Sequence, residues 1–98
     1  MMEIKQTVLD IAMNLNRIGN WVADDFDANQ KKIKIFIENT DGYISSIEKL
    51  NEKFKPTWQN FMKAYTDMKS DPRDNAENLM TWGNILTHRS KFLEGNSI

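Results

Sequence analysis

Three aspartates, Asp24, Asp25 and Asp27, fall within four residues of the stretch NWVADDFDANQKK, Asn20 to Lys32. Clustered carboxylates are the usual ligands of hard cations. The run Asp25-Phe26-Asp27-Ala28-Asn29 matches the first three ligand positions of a calcium-binding EF-hand loop. That loop needs glycine at its sixth position for a sharp turn and a bidentate glutamate at its twelfth. Here those positions are Gln30 and Phe36. The pattern fails at its turn and at its closing ligand, so the stretch reads as a helix stop followed by a helix start. Asp27 is expected to accept first-turn N–H groups of the next helix, with Gln30 three residues on as in a capping box. Asp24 and Asp25, unfavourable at a helix C-terminus and favourable before an N-terminus, help to separate the two helices.

Other chemistry is harder to assemble. With no cysteine, disulfides, thiolate catalysis, cysteine-type zinc sites and iron–sulfur clusters are excluded. The single histidine, His88, has Ile85 three residues before it, so it forms no Glu-x-x-His metal motif. On a helical wheel it falls opposite the Leu79–Leu86–Leu93 stripe and reads as a surface residue. Ser90 is two positions away, off the face that His88 presents, and no acid stands adjacent. A glycine-rich phosphate loop is missing. The expectation is a protein without catalytic residues, metal or cofactor.

Lys31, Lys32, Lys34, Lys49, Lys53 and Lys55 make one segment basic, but Glu38, Asp41, Glu48 and Glu52 interleave with them. Such a face is usually only solvated, and a formal charge of −1 argues against nucleic acid. The charge is unevenly spread: −3 over residues 1–30, +3 over 31–69 and −1 over 70–98. Trp21, Trp58 and Trp82 are numerous for a short chain, and Gly19 and Gly83 lie near two of them. Either these indoles fill the core, with the glycines admitting a close helix approach or an indole, or they wall a pocket for a small apolar ligand.

Ninety-eight residues, 40% apolar and 28% charged, suit one small globular domain spanning 1–98. The start MMEIKQTVLD lacks the pattern of a secretory signal, and no apolar run approaches the ~20 residues of a membrane span. A cytoplasmic protein with no membrane contact is expected.

The apolar period is helical throughout. Ile4, Val8, Ile11, Leu15, Ile18 and Val22 recur at alternating steps of four and three, placing a first helix over about 3–23. Ile33, Phe36, Ile37, Thr40, Tyr43, Ile44, Ile47, Leu50 and Phe54 keep one phase through Gly42, so the second helix is read over about 28–54. Pro56 interrupts, and Thr57 is expected to cap a third helix carrying Trp58, Phe61, Met62, Tyr65 and Met68. The rival reading is one helix over 28–69, kinked at Pro56. Asp71 as N-cap and Pro72 at the first helical position open the last helix, with Gly95 as its C-terminal stop. The fold class is all-α, an up-and-down bundle of four helices, or three if Pro56 only kinks.

Apolar residues remain after the stripes are assigned. Met2, Leu9 and Met13 cluster opposite the main stripe of the first helix, with Asn16 and Asn20 continuing the line. Ile85 and Phe92 flank the stripe of the last helix, and Ile35 sits outside the second. A row of this kind is covered either by neighbouring helices, with the first helix central, or by another chain. The expected function is a non-enzymatic helical protein–protein interaction module forming a homodimer. The alternative is a small-ligand carrier or sensor with a pocket of Trp21, Trp58 and Trp82. Nothing in the sequence names a biological process.

Overall fold

The computed structural model describes residues 4–93. Four helices, α1 (Ile4–Asp25), α2 (Gln30–Ser46), α3 (Lys55–Ser70) and α4 (Ala76–Arg89), are joined in up-and-down order. Short 3-10 turns at Pro72–Asn75 and Ser90–Leu93 precede and follow α4. The described residues contain no strand. The bundle measures 47 × 23 × 18 Å. Met2 and Gly95 lie outside the described residues.

α1 is the central helix, and its sequence shows why. Of the predicted stripe, Val8, Ile11, Leu15, Ile18 and Val22 are buried, whereas its first residue, Ile4, is exposed at the start of the helix. Thr7 and Asn14 on one flank, and Ala12 and Gly19 on the other, are buried too. The first flank faces α2, where Asn14 Nδ2 donates to Asn39 Oδ1 and Thr40 Oγ1, each at 3.2 Å. Thr40 in turn donates to the Phe36 carbonyl at 2.7 Å. These bonds satisfy polar groups that would otherwise be costly to bury.

The second flank meets α4 at close range. A Cβ added to Gly83 would stand 2.6 Å from Asn16 Nδ2 and 2.9 Å from the Ala12 carbonyl oxygen. One added to Gly19 would stand 2.5 Å from Met80 Cγ and 3.0 Å from the Ala76 carbonyl oxygen. The row Ala12, Asn16, Gly19 therefore lies antiparallel to the row Ala76, Met80, Gly83, with the same spacing of four then three. α3 closes the bundle by packing Phe61 against Trp82 of α4, ring centroids 5.8 Å apart.

Three local expectations are corrected. The second helix stops at Ser46, eight residues early, and Ile47 turns to extended backbone. Ile47, Leu50 and Phe54 still reach the core, but from a loop that crosses the end of the bundle. Ser46 helps to end the helix by donating to the Tyr43 carbonyl at 2.7 Å, a local bond that competes with the helical ladder. Thr57 does not cap α3. The helix starts at Lys55 with Pro56 in its first turn, and Asn51 Oδ1 accepts the Phe54 N–H at 2.9 Å in the turn before it. Thr57 is buried, and its hydroxyl oxygen accepts from Arg89 at 3.0 Å. Finally, Asp71 and Pro72 open the 3-10 turn, and α4 itself starts at Ala76 after Asn75.

The glycines test this packing by sign. Overpacking costs roughly 1–3 kcal/mol, against a helix-propensity gain of about 1 kcal/mol for alanine over glycine. Gly83→Ala is expected to lower stability by up to about 2 kcal/mol, since the Ala12 carbonyl is backbone and cannot swing aside. Gly42, with open space around it in α2, is expected to gain up to about 1 kcal/mol as alanine. Urea midpoints compare them; two shifts in the same direction would contradict the close α1–α4 approach.

Candidate functional site

The aspartate stretch forms the α1–α2 turn. α1 runs through Asp24 and Asp25, so neither lies beyond the helix. Asp25, rather than Asp27, holds the turn: its Oδ1 accepts the Ala28 N–H at 3.0 Å. Asn29 occupies the N-cap position of α2, makes no side-chain cap bond there, and donates to the Trp21 carbonyl at 3.1 Å. Asp27 instead reaches across to Arg73, 2.9 Å away in the Pro72–Asn75 turn. The Arg73 guanidinium also stands 4.6 Å from the centroid of the Phe26 ring. Among the described residues no three His, Asp or Glu side chains gather as a metal ion would need.

The leftover apolar residues fall on separate surfaces, with Ile35 58% exposed on α2 and the others on α1 and on α4 with the turn that follows it. On α1, Leu9 is half-buried and Met13 is 46% exposed. Asn16, in the same line, is partly covered because its amide lies against Gly83. On α4, Ile85 is half-buried and stands about 200° round the helix from Gly83, which faces α1. Phe92 is 36% exposed in the Ser90–Leu93 turn, where its carbonyl accepts from Asn51 at 2.8 Å. Leu9 and Met13 thus share one face, and Ile85 points away from it.

The tryptophans are also divided. Trp58 and Trp82 both pack on Phe61, at centroid distances of 5.2 and 5.8 Å. Trp21 lies edge-on to Phe36 of α2 at 4.9 Å, with the Lys32 ammonium 5.5 Å from its ring. Each is half-buried among aromatic neighbours.

A polar clasp joins α3 to α2. The Tyr65 hydroxyl donates to Asp41 Oδ1 at 2.7 Å, with the Ile37 carbonyl a second acceptor at 3.4 Å. Lys69 donates to Asp41 Oδ2 at 3.3 Å. Burial, then the hydrogen bond to Asp41, then that carboxylate's charge push the Tyr65 phenol well above its ordinary value. Beside the clasp an open groove of about 440 Å³ runs between α2 and the α3–α4 turn. Phe26, Ile33, Ile37 and Pro72 make its apolar surface, and no tryptophan lines it. Lys34 and Lys69 approach it from α2 and α3. The sequence reading missed both clasp and groove. Asp41 and Tyr65 are 24 positions apart, and only the bundle brings them together. Comparison with known protein families, curated proteins and solved structures gives no match.

Tyr65→Phe is expected to cost about 1 kcal/mol at neutral pH, the net worth of an ordinary hydrogen bond. Because the folded phenol holds its proton more tightly than the unfolded one, this advantage is complete below about pH 10 and declines as pH rises further. Urea midpoints of both proteins at pH 7 and pH 11 should show the gap narrowing. A gap that widens would contradict the sign of the shift.

Proposed function

We propose that this chain is a non-enzymatic helical interaction module that self-associates as a homodimer through the outer face of α1. The observation that carries this reading is Met13, 46% exposed at the centre of that face with Leu9 beside it. Methionine adapts well to a partner surface, and a two-fold dimer is the commonest assembly. The flanking charges are self-complementary. Asp10 lies three residues before Met13 and Arg17 four residues after it, on the same side of the helix. An antiparallel two-fold contact centred near Met13 sets Asp10 against Arg17 of a second copy. The absence of catalysis is likewise part of the proposal. His88 is exposed on α4, and the nearby Ser90 hydroxyl donates to the Thr87 carbonyl at 2.7 Å.

Light scattering at about 100 µM chain, a concentration suited to micromolar affinity, is expected to give twice the 11.5 kDa chain mass. Leu9→Glu with Met13→Glu should return the mass to one chain while circular dichroism stays helical. Asp10→Arg should weaken the dimer, and Asp10→Arg with Arg17→Asp should restore it. A wild-type chain that is monomeric at that concentration would overturn the proposal.

A further inference from the structure

We infer that the self-association surface of α1 continues onto α2, where Ile35 of one copy fills the space beside Gly42 of the other. This inference rests on the dimer reading above and adds to it a second helix, a register and the place of the two-fold axis. Ile35 is 58% exposed, the most exposed large apolar side chain among the described residues. It stands about 120° round α2 from Asp41, which reaches α3, and one turn from Asn39, which reaches α1. It therefore leaves the bundle on the side where Arg17 of α1 lies over Phe36, 5.9 Å from the ring centroid. Gly42 follows seven residues later, two turns along the same line. A Cβ added there would meet nothing within 4 Å. Glycine weakens a helix relative to alanine, and neither a positive φ nor a close neighbour in its own chain calls for one at this position. An exposed side chain and a gap two turns apart are self-complementary in an antiparallel pair of such helices.

A second copy is selected as the occupant because both helices ask for the same axis. Ile35 meets Gly42 of an antiparallel copy when the two-fold axis passes midway between them, at Asn39. Asp10 meets Arg17 of that copy when the axis passes midway between those two, at Met13 and Asn14. Asn14 Nδ2 donates to Asn39 Oδ1 at 3.2 Å, so the two midpoints stand side by side. One axis crossing α1 and α2 at that bond therefore pairs both helices with their own copies, and a partner of unrelated sequence would not require the two midpoints to coincide. Asp10 Oδ1 accepts from Gln6 at 3.0 Å, and the carboxylate keeps further acceptor positions for Arg17. The same axis sets Lys31 against Ser46, so the basic first turn of α2 stays clear of its own copy. The area also calls for α2. α1 alone is a narrow strip, whereas α1 and α2 together present a face of about 30 by 20 Å, near the ~800 Å² that each partner gives to a standard interface.

The test measures dimer dissociation and fold stability on the whole chain. Gly42→Leu is expected to raise the urea midpoint, since leucine favours a helix, and to weaken dimerisation by about tenfold or more. Ile35→Ala should also weaken the dimer by about tenfold. Ile35→Ala with Gly42→Leu moves the side chain to the other member of the pair and should recover wild-type affinity to within about threefold. Register is read by cross-linking, because the chain has no cysteine of its own. A mixture of Ile35→Cys chains and Gly42→Cys chains should oxidise to a covalent dimer. Neither variant alone should do so, because each position is displaced from its own copy by about 10 Å along the helix, beyond the ~7 Å Cα limit of a disulfide. A wild-type chain that is monomeric would overturn the dimer reading and this inference together. A wild-type dimer that Gly42→Leu leaves unchanged, or whose single variants cross-link as well as the mixture, would overturn this inference alone.

Discussion

The close approach of α1 and α4 is the constraint on which the rest of the bundle depends. Interaxial distance is set by the side chains at the contact, and here glycine on each helix faces backbone of the other. Dispersion attraction falls steeply with separation, so the close contact strengthens this pair. It also fixes rotation. With Gly19 and Ala12 turned toward α4, the apolar stripe of α1 must face inward and Thr7 and Asn14 must face α2. The polar seam at Asn14, Asn39 and Thr40 follows from that rotation and fixes the level at which α2 lies. A slip of α2 along α1 would leave the buried Asn14 amide without these partners, a cost larger than the bonds' own net worth.

The same geometry leaves α2 and α3 more loosely joined. α2 buries only Ile33 and Thr40 among its described residues, while α1 buries nine. Between α2 and α3 the link is a clasp of side chains, Tyr65 and Lys69 on Asp41, in place of glycine-lined backbone contact. Side chains long enough to bridge a gap imply a gap to bridge. Ile33 and Ile37, with the Phe26 turn below them, form its wall, and the groove is the unfilled remainder. Tight packing on one side of the bundle and a groove on the other are two outcomes of one allocation of small and large residues.

The sequence carried the bundle better than its joints. The α1 stripe specified a helix and, from Val8 to Val22, its buried face, because one period ran unbroken from Ile4 to Val22. The pattern misled at Ile47, Leu50 and Phe54. Their spacing fits a helix, yet periodicity reports burial, and a loop crossing the bundle end buries residues as effectively as a helix does. Competition decided the caps. Asp27 and Thr57 have the right side chains for N-caps, but Arg73 takes the first and the second is enclosed beside Arg89. Asn51 shows the reverse case. It gave no signal in a supposed helix interior, yet it shapes the turn into α3 and ties that turn to Phe92. Gly19 and Gly83 were legible as places for a close helix approach; which helices met was not, because that pairing is a property of the whole fold.

The central position of α1 also bears on which surfaces are left for function. Its buried residues run from Thr7 and Asn14, facing α2, through Leu15, to Ala12 and Gly19, facing α4. That arc spans about 160° of the helix at 100° per residue. α2 and α4 take its two flanks, and α3 packs on α4 and clasps α2 from the inner side. The described helices are thereby used up, and the arc around Met13 faces outward between α2 and α4. Neighbour coverage thus accounts for Asn16 in the leftover row and leaves Met13 exposed. The aspartate stretch ends in a different role from the one its composition advertises. Asp25 shapes a turn, and Asp27 pairs with Arg73, whose guanidinium lies 4.6 Å from the Phe26 ring centroid. Phe26, the apolar residue among the acids, is the one that reaches the groove.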